Sequence, residues 1–108
     1  MSRYRVARDA ELDLLSIFLA SMDRFGPRQA ERYREAFKRE FELLAQFPDM
    51  ARPRDGWPAS VRAFPHGSHV ILYEHHDDGI VVLRIRHGRE DWLGDPLGDA
   101  DDSDGDAP

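Results

Sequence analysis

The amino-acid sequence predicts an α+β fold of order β-α-α-β-β-β, in which an antiparallel sheet packs against an α-helical hairpin. Three observations carry that expectation. Two stretches repeat apolar residues at the period of a core-facing helix, a Gly-Pro pair joins them, and three β-prone runs with short connections follow. A chain of 108 residues has room for one such unit with a modest core.

The opening run "YRV", Tyr4 to Val6, is β-prone and reads as a first strand. In "DAELDLLSIFLASMDRFG", Leu14, Phe18, Met22 and Phe25 recur every three or four residues and Leu15 and Leu19 widen the stripe, which predicts a helix facing the core. Asp9 suits its amino-terminal end as a cap or as a charge in the first turn. Gly26 then supplies a helix end and Pro27 the first position of the next helix, so the two form a hairpin. The second helix runs from Pro27 to about Phe47, with Ala30, Tyr33, Phe37, Phe41 and Leu44 on its apolar side; Glu35 with Arg39 and Lys38 with Glu42 lie on its solvated side. Pro48 ends it.

The loop "PDMARPRDGWPAS" leads to strands at Val61–Phe64, His69–Glu74 and Ile80–His87. Their connections, "PHGS" and "HHDDG", are those of an antiparallel meander, the second with an Asp-Gly turn signal. Strand alternation places Arg84 and Arg86 on one face with Ile80 and Val82, and Val81, Leu83, Ile85 and His87 on the other.

The formal charge of -6 is carried by the chain's end. Six aspartates (Asp95, Asp99, Asp101, Asp102, Asp104 and Asp106) follow Gly94, and the other 15 acidic residues balance 15 basic ones. The expected organisation is therefore a neutral domain over residues 1–94 and an acidic, disordered tail over 95–108. No cysteine is present, so disulfides and thiolate metal sites are excluded, and with no signal-like apolar run the expected location is cytoplasmic. No stretch is long enough for a membrane span.

Chemistry concentrates in "RIRHGREDW", Arg84 to Trp92. Guanidinium stems two residues apart on a strand start roughly 7 Å apart and can hold one anion between them. His87, with Arg62 and Arg86 as phosphate clamps, has the residue types of a metal-free ribonuclease, and Trp92 beside Arg89 can stack on a base or anchor a partner. The bland alternatives are a soluble strand end, a turn histidine and a tryptophan that covers the core. His75 and His76 sit in a turn and read as polar surface. No phosphate loop, HExxH pair or GxSxG elbow occurs, and neither metal nor cofactor is expected.

The pieces "RPRD", "VRAFPHGSHVILY" and "RIRHGREDW" resemble the ParE branch of the RelE/ParE toxin superfamily, with its R-S-F-P-x-G-x-H-x-I-x-Y and R-I-L-H-G-R-x-D-W patterns. "YRVARDAELDLLSIF" and "GPRQAERYREAF" resemble the branch's first strand and hairpin, so the likeness reaches to about Leu93. The resemblance implies a toxin that inhibits DNA gyrase and is neutralised by a ParD-like antitoxin, with operator DNA met only through the antitoxin. It implies a target surface of Arg62, Arg84, Arg86, Arg89 and Trp92, and an antitoxin surface including Leu15, Phe18, Tyr33 and Phe37. RelE-like relatives imply the alternative of ribosome-dependent mRNA cleavage by His87, Arg62 and Arg86; a non-toxic module acting only with its antitoxin is the other. The chain departs from the branch at Ala7, where serine is frequent, and in its acidic tail.

Overall fold

The computed structural model of the chain describes residues 3–58, 60–88 and 96–97. Its elements are β1 (Tyr4–Val6), α1 (Arg8–Phe25), α2 (Pro27–Gln46), a single 3-10 turn (Pro48–Met50), β2 (Val61–His66), β3 (His69–His76) and β4 (Gly79–His87). The strands lie in the order β1-β4-β3-β2. The meander β2-β3-β4 is antiparallel, and β1 joins β4 in parallel, so the sheet is mixed.

Helix ends follow local chemistry. Ala7 occupies the cap of α1 without a side-chain hydrogen bond, while Asp9 and Glu11 place negative charge in the first turn, where the helix dipole favours it. At the hairpin Gly26 adopts φ 88°, a value open to glycine, and its N–H donates to the Met22 carbonyl at 3.0 Å.

Phe37, Phe41 and Leu44 of α2 pack on Ile71 and Tyr73 of β3 and on Ile80, Val82 and Ile85 of β4. The Tyr73 hydroxyl escapes this apolar setting by donating to the Pro48 carbonyl at 2.6 Å. From α1, Ala10 is fully buried and Leu14 and Ile17 reach the core.

The parallel β1 departs from the antiparallel sheet that the sequence predicts, and two further details depart as well. Leu15, Leu19, Met22 and Phe25 of α1, read as core-facing, are exposed, Phe25 to 62%. Apolar residues surround most of α1, so periodicity alone does not select the packed side; the line Ala10, Leu14, Ile17 takes it. In β4 the register shifts: Tyr73 pairs with Val82 but Leu72 with Arg84, leaving Leu83 as the extra residue of a β-bulge. The bulge resets the alternation, so Ile85 joins Ile80 and Val82 in the core, and Arg86, opposite Val70, faces away from it.

The turn between β3 and β4 is Asp77–Asp78, and Gly79 opens β4. A Cβ at Gly79 would collide with the Arg3 carbonyl, the group that accepts the Ile80 N–H at 3.0 Å as β1 docks. Packing continues past residue 94, since Pro96 is buried and its carbonyl accepts a bond from Arg86 at 3.1 Å.

Candidate functional site

The apolar residues of α1 left outside the core form a surface of their own. Leu12, Leu15, Leu19 and Met22 recur at spacings of three, four and three, so they share one helical face, and all are exposed, Leu15 to 52% and Leu19 to 55%. The face extends about 15 Å along the axis at about 1.5 Å rise per residue. Beside it runs a groove of about 720 Å³ between α1 and the sheet end, walled by the small Ser16 and Ala20 on one side and by Tyr33, His69, Ile85 and His87 on the other. An apolar helix face beside a concave surface, without a covering element among the described residues, is the geometry of a helix-docking site.

The far wall of the groove is polar and ordered by hydrogen bonding. The Tyr33 hydroxyl and His69 Nδ1 are bonded at 2.8 Å, and the His69 ring meets that of His87, its cross-strand partner, edge to face at 5.3 Å. Burial pushes the Tyr33 phenol above its usual range. Next to this pair, His66 bonds Glu40 at 3.0 Å and its ring lies 4.6 Å from Phe37.

The arginines singled out by sequence are held by the chain itself. Arg84, 5% exposed, donates from Nε and Nη2 to the Asp13 carboxylate at 2.7 and 3.2 Å. Arg62 donates to Asp49 at 3.0 Å and to the Ala51 carbonyl at 2.8 Å, tying β2 to the segment after α2. Arg86, 7% exposed, holds Pro96 on the face of the sheet away from the core. Arg89 and Trp92 lie outside the described residues, as does nearly all of the acidic tail.

The nuclease set does not converge. Arg62 pairs with Tyr73 and His87 with His69, on opposite sides of β3. That offset of four residues along β3 is roughly 13 Å at about 3.3 Å per residue. Arg86 projects to the other face from its neighbour His87. Distance, strand alternation and the Asp49 bond of Arg62 together keep the three apart.

Of the four residues read as an antitoxin surface, Leu15 lies on the exposed face and Tyr33 in the groove wall. Phe18 is half-buried beneath the guanidinium of Arg34, 5.6 Å from its ring. Phe37 is 1% exposed and belongs to the core, because α2 turns it inward with Phe41 and Leu44, so it offers a partner no surface. Leu12 and Met22 lie on the exposed face with Leu15 and Leu19, and their three-four spacing is the sequence signal for that face. No group of three or more potential metal ligands occurs among the described residues, and His76 bonds Glu74 at 2.8 Å. No described helix is long and apolar enough to cross a membrane.

Comparison with known proteins places this geometry in context. Residues 4–92 match the family model for the ParE toxin of the type II toxin-antitoxin system parDE. A protein named Toxin ParE1 from Caulobacter vibrioides is 36% identical over 87 residues, covering 81% of this chain and 90% of that protein. A Toxin ParE1 from Mycobacterium tuberculosis is 31% identical over 91 residues, covering 83% and 93%. Among solved structures, a chain of the chromosomal ParDE system from P. aeruginosa superposes with a TM-score of 0.68 at 20% identity, covering 81% of this chain and 96% of its own. A chain of the toxin-antitoxin complex RelBE2 from Mycobacterium tuberculosis gives 0.55 at 23% identity, covering 80% and 96%. These two likenesses concern the fold.

Proposed function

The chain belongs to the ParE toxin family of type II toxin-antitoxin systems, and on that premise we propose that it inhibits DNA gyrase in the cytoplasm and is neutralised by a ParD-like antitoxin docked along α1. The exposed face of Leu12, Leu15, Leu19 and Met22 carries the antitoxin half of this reading. An amphipathic helix laid on that face covers the apolar groups that α1 leaves to solvent. At the end of the sheet order β1 has an edge on which an extended segment can add backbone hydrogen bonds. Operator DNA is then met only through the antitoxin.

The target half rests on the segment after β4. Its text "RIRHGREDW" has the branch's pattern, and the separation of Arg62 from His87 favours docking over RNA cleavage. In this reading Arg89 and Trp92 supply contacts to gyrase, while Arg86 holds Pro96 and Arg62 and Arg84 brace the sheet against the segment after α2 and against α1.

The test adds the purified chain to gyrase, supercoiled plasmid and ATP, then detergent and protease. Cleaved plasmid that requires both gyrase and the chain, and disappears when antitoxin is supplied first, is the expected result. Full gyrase activity at excess chain, with growth arrest persisting in cells, overturns the gyrase assignment.

A further inference from the structure

The charges beside the apolar face of α1 narrow the chemistry of its occupant. Asp9 and Asp23 lie along one flank of the Leu12-Leu15-Leu19-Met22 seam, and Glu11 along the other. All three carboxylates are exposed, and none pairs with a cation among the described residues. Asp9 and Glu11 have a local reason to be acidic, since they sit in the first turn at the positive end of the helix dipole. Asp23 has the opposite setting. It stands in the last turn of α1, two residues before the end at Phe25, where the dipole disfavours a negative charge. The basic residue nearest in sequence does not relieve it: Arg24 places its guanidinium over the Phe25 ring at 5.4 Å.

Resting on the docking reading above, we propose that the helix occupying this face is cationic along its flanks, an apolar seam of matching three-four spacing bordered by lysine or arginine, one of which meets Asp23. Apolar contact between the seams supplies the affinity, and the carboxylates select the partner and its direction along α1. A second copy of this chain is the poorer occupant. Packed antiparallel on the first, it sets Asp9 of one α1 beside Asp23 of the other, and the basic residues of α1 are just Arg8, at the amino end of the seam, and Arg24, whose guanidinium lies over the Phe25 ring. The small side chains of Ser16 and Ala20 leave room for the partner's backbone to approach the groove wall.

Two synthetic helices with the same apolar seam, one flanked by lysine and one by glutamate, provide the test by titration calorimetry against the full chain. The lysine-flanked peptide is expected to bind about tenfold more tightly, from a few surface ion pairs acting together. That advantage should collapse in about 1 M salt, where the screening length is about 3 Å, and in the triple variant Asp9→Asn, Glu11→Gln, Asp23→Asn. Equal affinities, or tighter binding of the glutamate-flanked peptide, overturn the charge assignment and leave the docking face intact. If Leu15→Asp with Leu19→Asp, in a chain that still melts cooperatively, binds the cognate antitoxin as tightly as the parent does, the docking face itself is wrong and the charge assignment falls with it.

Discussion

Asp13 of α1 and Arg84 of β4 are joined at two points, and the same Asp13 carboxylate accepts the Ile85 backbone N–H at 2.9 Å. The pair sits where the bulge interrupts the strand, so one carboxylate neutralises a buried guanidinium and also satisfies a backbone donor. Removing the carboxylate strands both groups, and Asp13→Ala is expected to cost about 3 to 5 kcal/mol of stability. Replacing the pair together, Asp13→Leu with Arg84→Met, should cost clearly less, because no charge is left behind. Urea unfolding monitored by circular dichroism checks both variants; a single substitution no worse than the double one would refute this account.

Burial raises the phenols of Tyr4, Tyr33 and Tyr73, which are all the tyrosines of the chain, above the ordinary tyrosine value of about 10. The folded state therefore holds its phenolic protons more strongly than the unfolded state. Stability from this source is complete below pH 10 and is lost as pH rises through the raised values. Ultraviolet titration should show phenolate appearing above pH 10 in the folded chain and nearer 10 in urea. Coincident titrations would remove the basis for the predicted alkaline loss.

Much of the fold was legible because its signals are local. Gly26-Pro27 marked the hairpin, Phe37, Phe41 and Leu44 marked the packed side of α2, and the three β-prone runs appeared as a meander. Less was legible where distant groups decide. Asp13 and Arg84 are 71 residues apart, and no spacing rule connects them. The extra residue Leu83 is invisible in the run "IVVLRIRH", yet it reverses which side chains enter the core. The parallel place of β1 beside β4 also depends on tertiary closure, with only Gly79 hinting at a close backbone approach.

That close approach can be tested directly. At Gly79, with φ at 148°, a methyl group would occupy the space of the Arg3 carbonyl, which cannot withdraw without releasing the Ile80 N–H. Gly79→Ala should cost about 3 kcal/mol, at the upper end of ordinary overpacking because backbone strain adds to the collision. Amide exchange would locate the loss, with Val82 losing protection while Ile71, in the middle of the meander, stays protected until global unfolding. Uniform loss across the sheet would mean that β1 and the meander open together, contrary to a collision confined to the first strand.

Leu15 and Phe37 separate docking from folding most cleanly. Both are apolar helix residues and both resemble partner contacts in sequence, but Leu15 is half exposed whereas Phe37 is sealed among α2, Tyr33 and the sheet. Leu15→Asp removes exposed apolar surface and should leave stability within about 0.5 kcal/mol. At the centre of a docking helix the same change should weaken antitoxin binding at least about thirtyfold, the size of a hot-spot loss of about 2 kcal/mol. Phe37→Ala opens a cavity in the core and should cost about 3 to 5 kcal/mol of stability. Any chain that remains folded in that variant still presents Leu12, Leu15, Leu19 and Met22, so its binding, corrected for the folded fraction, should stay near the parent value. Paired calorimetric and thermal measurements distinguish the two losses. If Leu15→Asp unfolds the chain, or Phe37→Ala reduces corrected affinity as much as Leu15→Asp does, the division between an outward docking face and an inward core face of the hairpin does not hold.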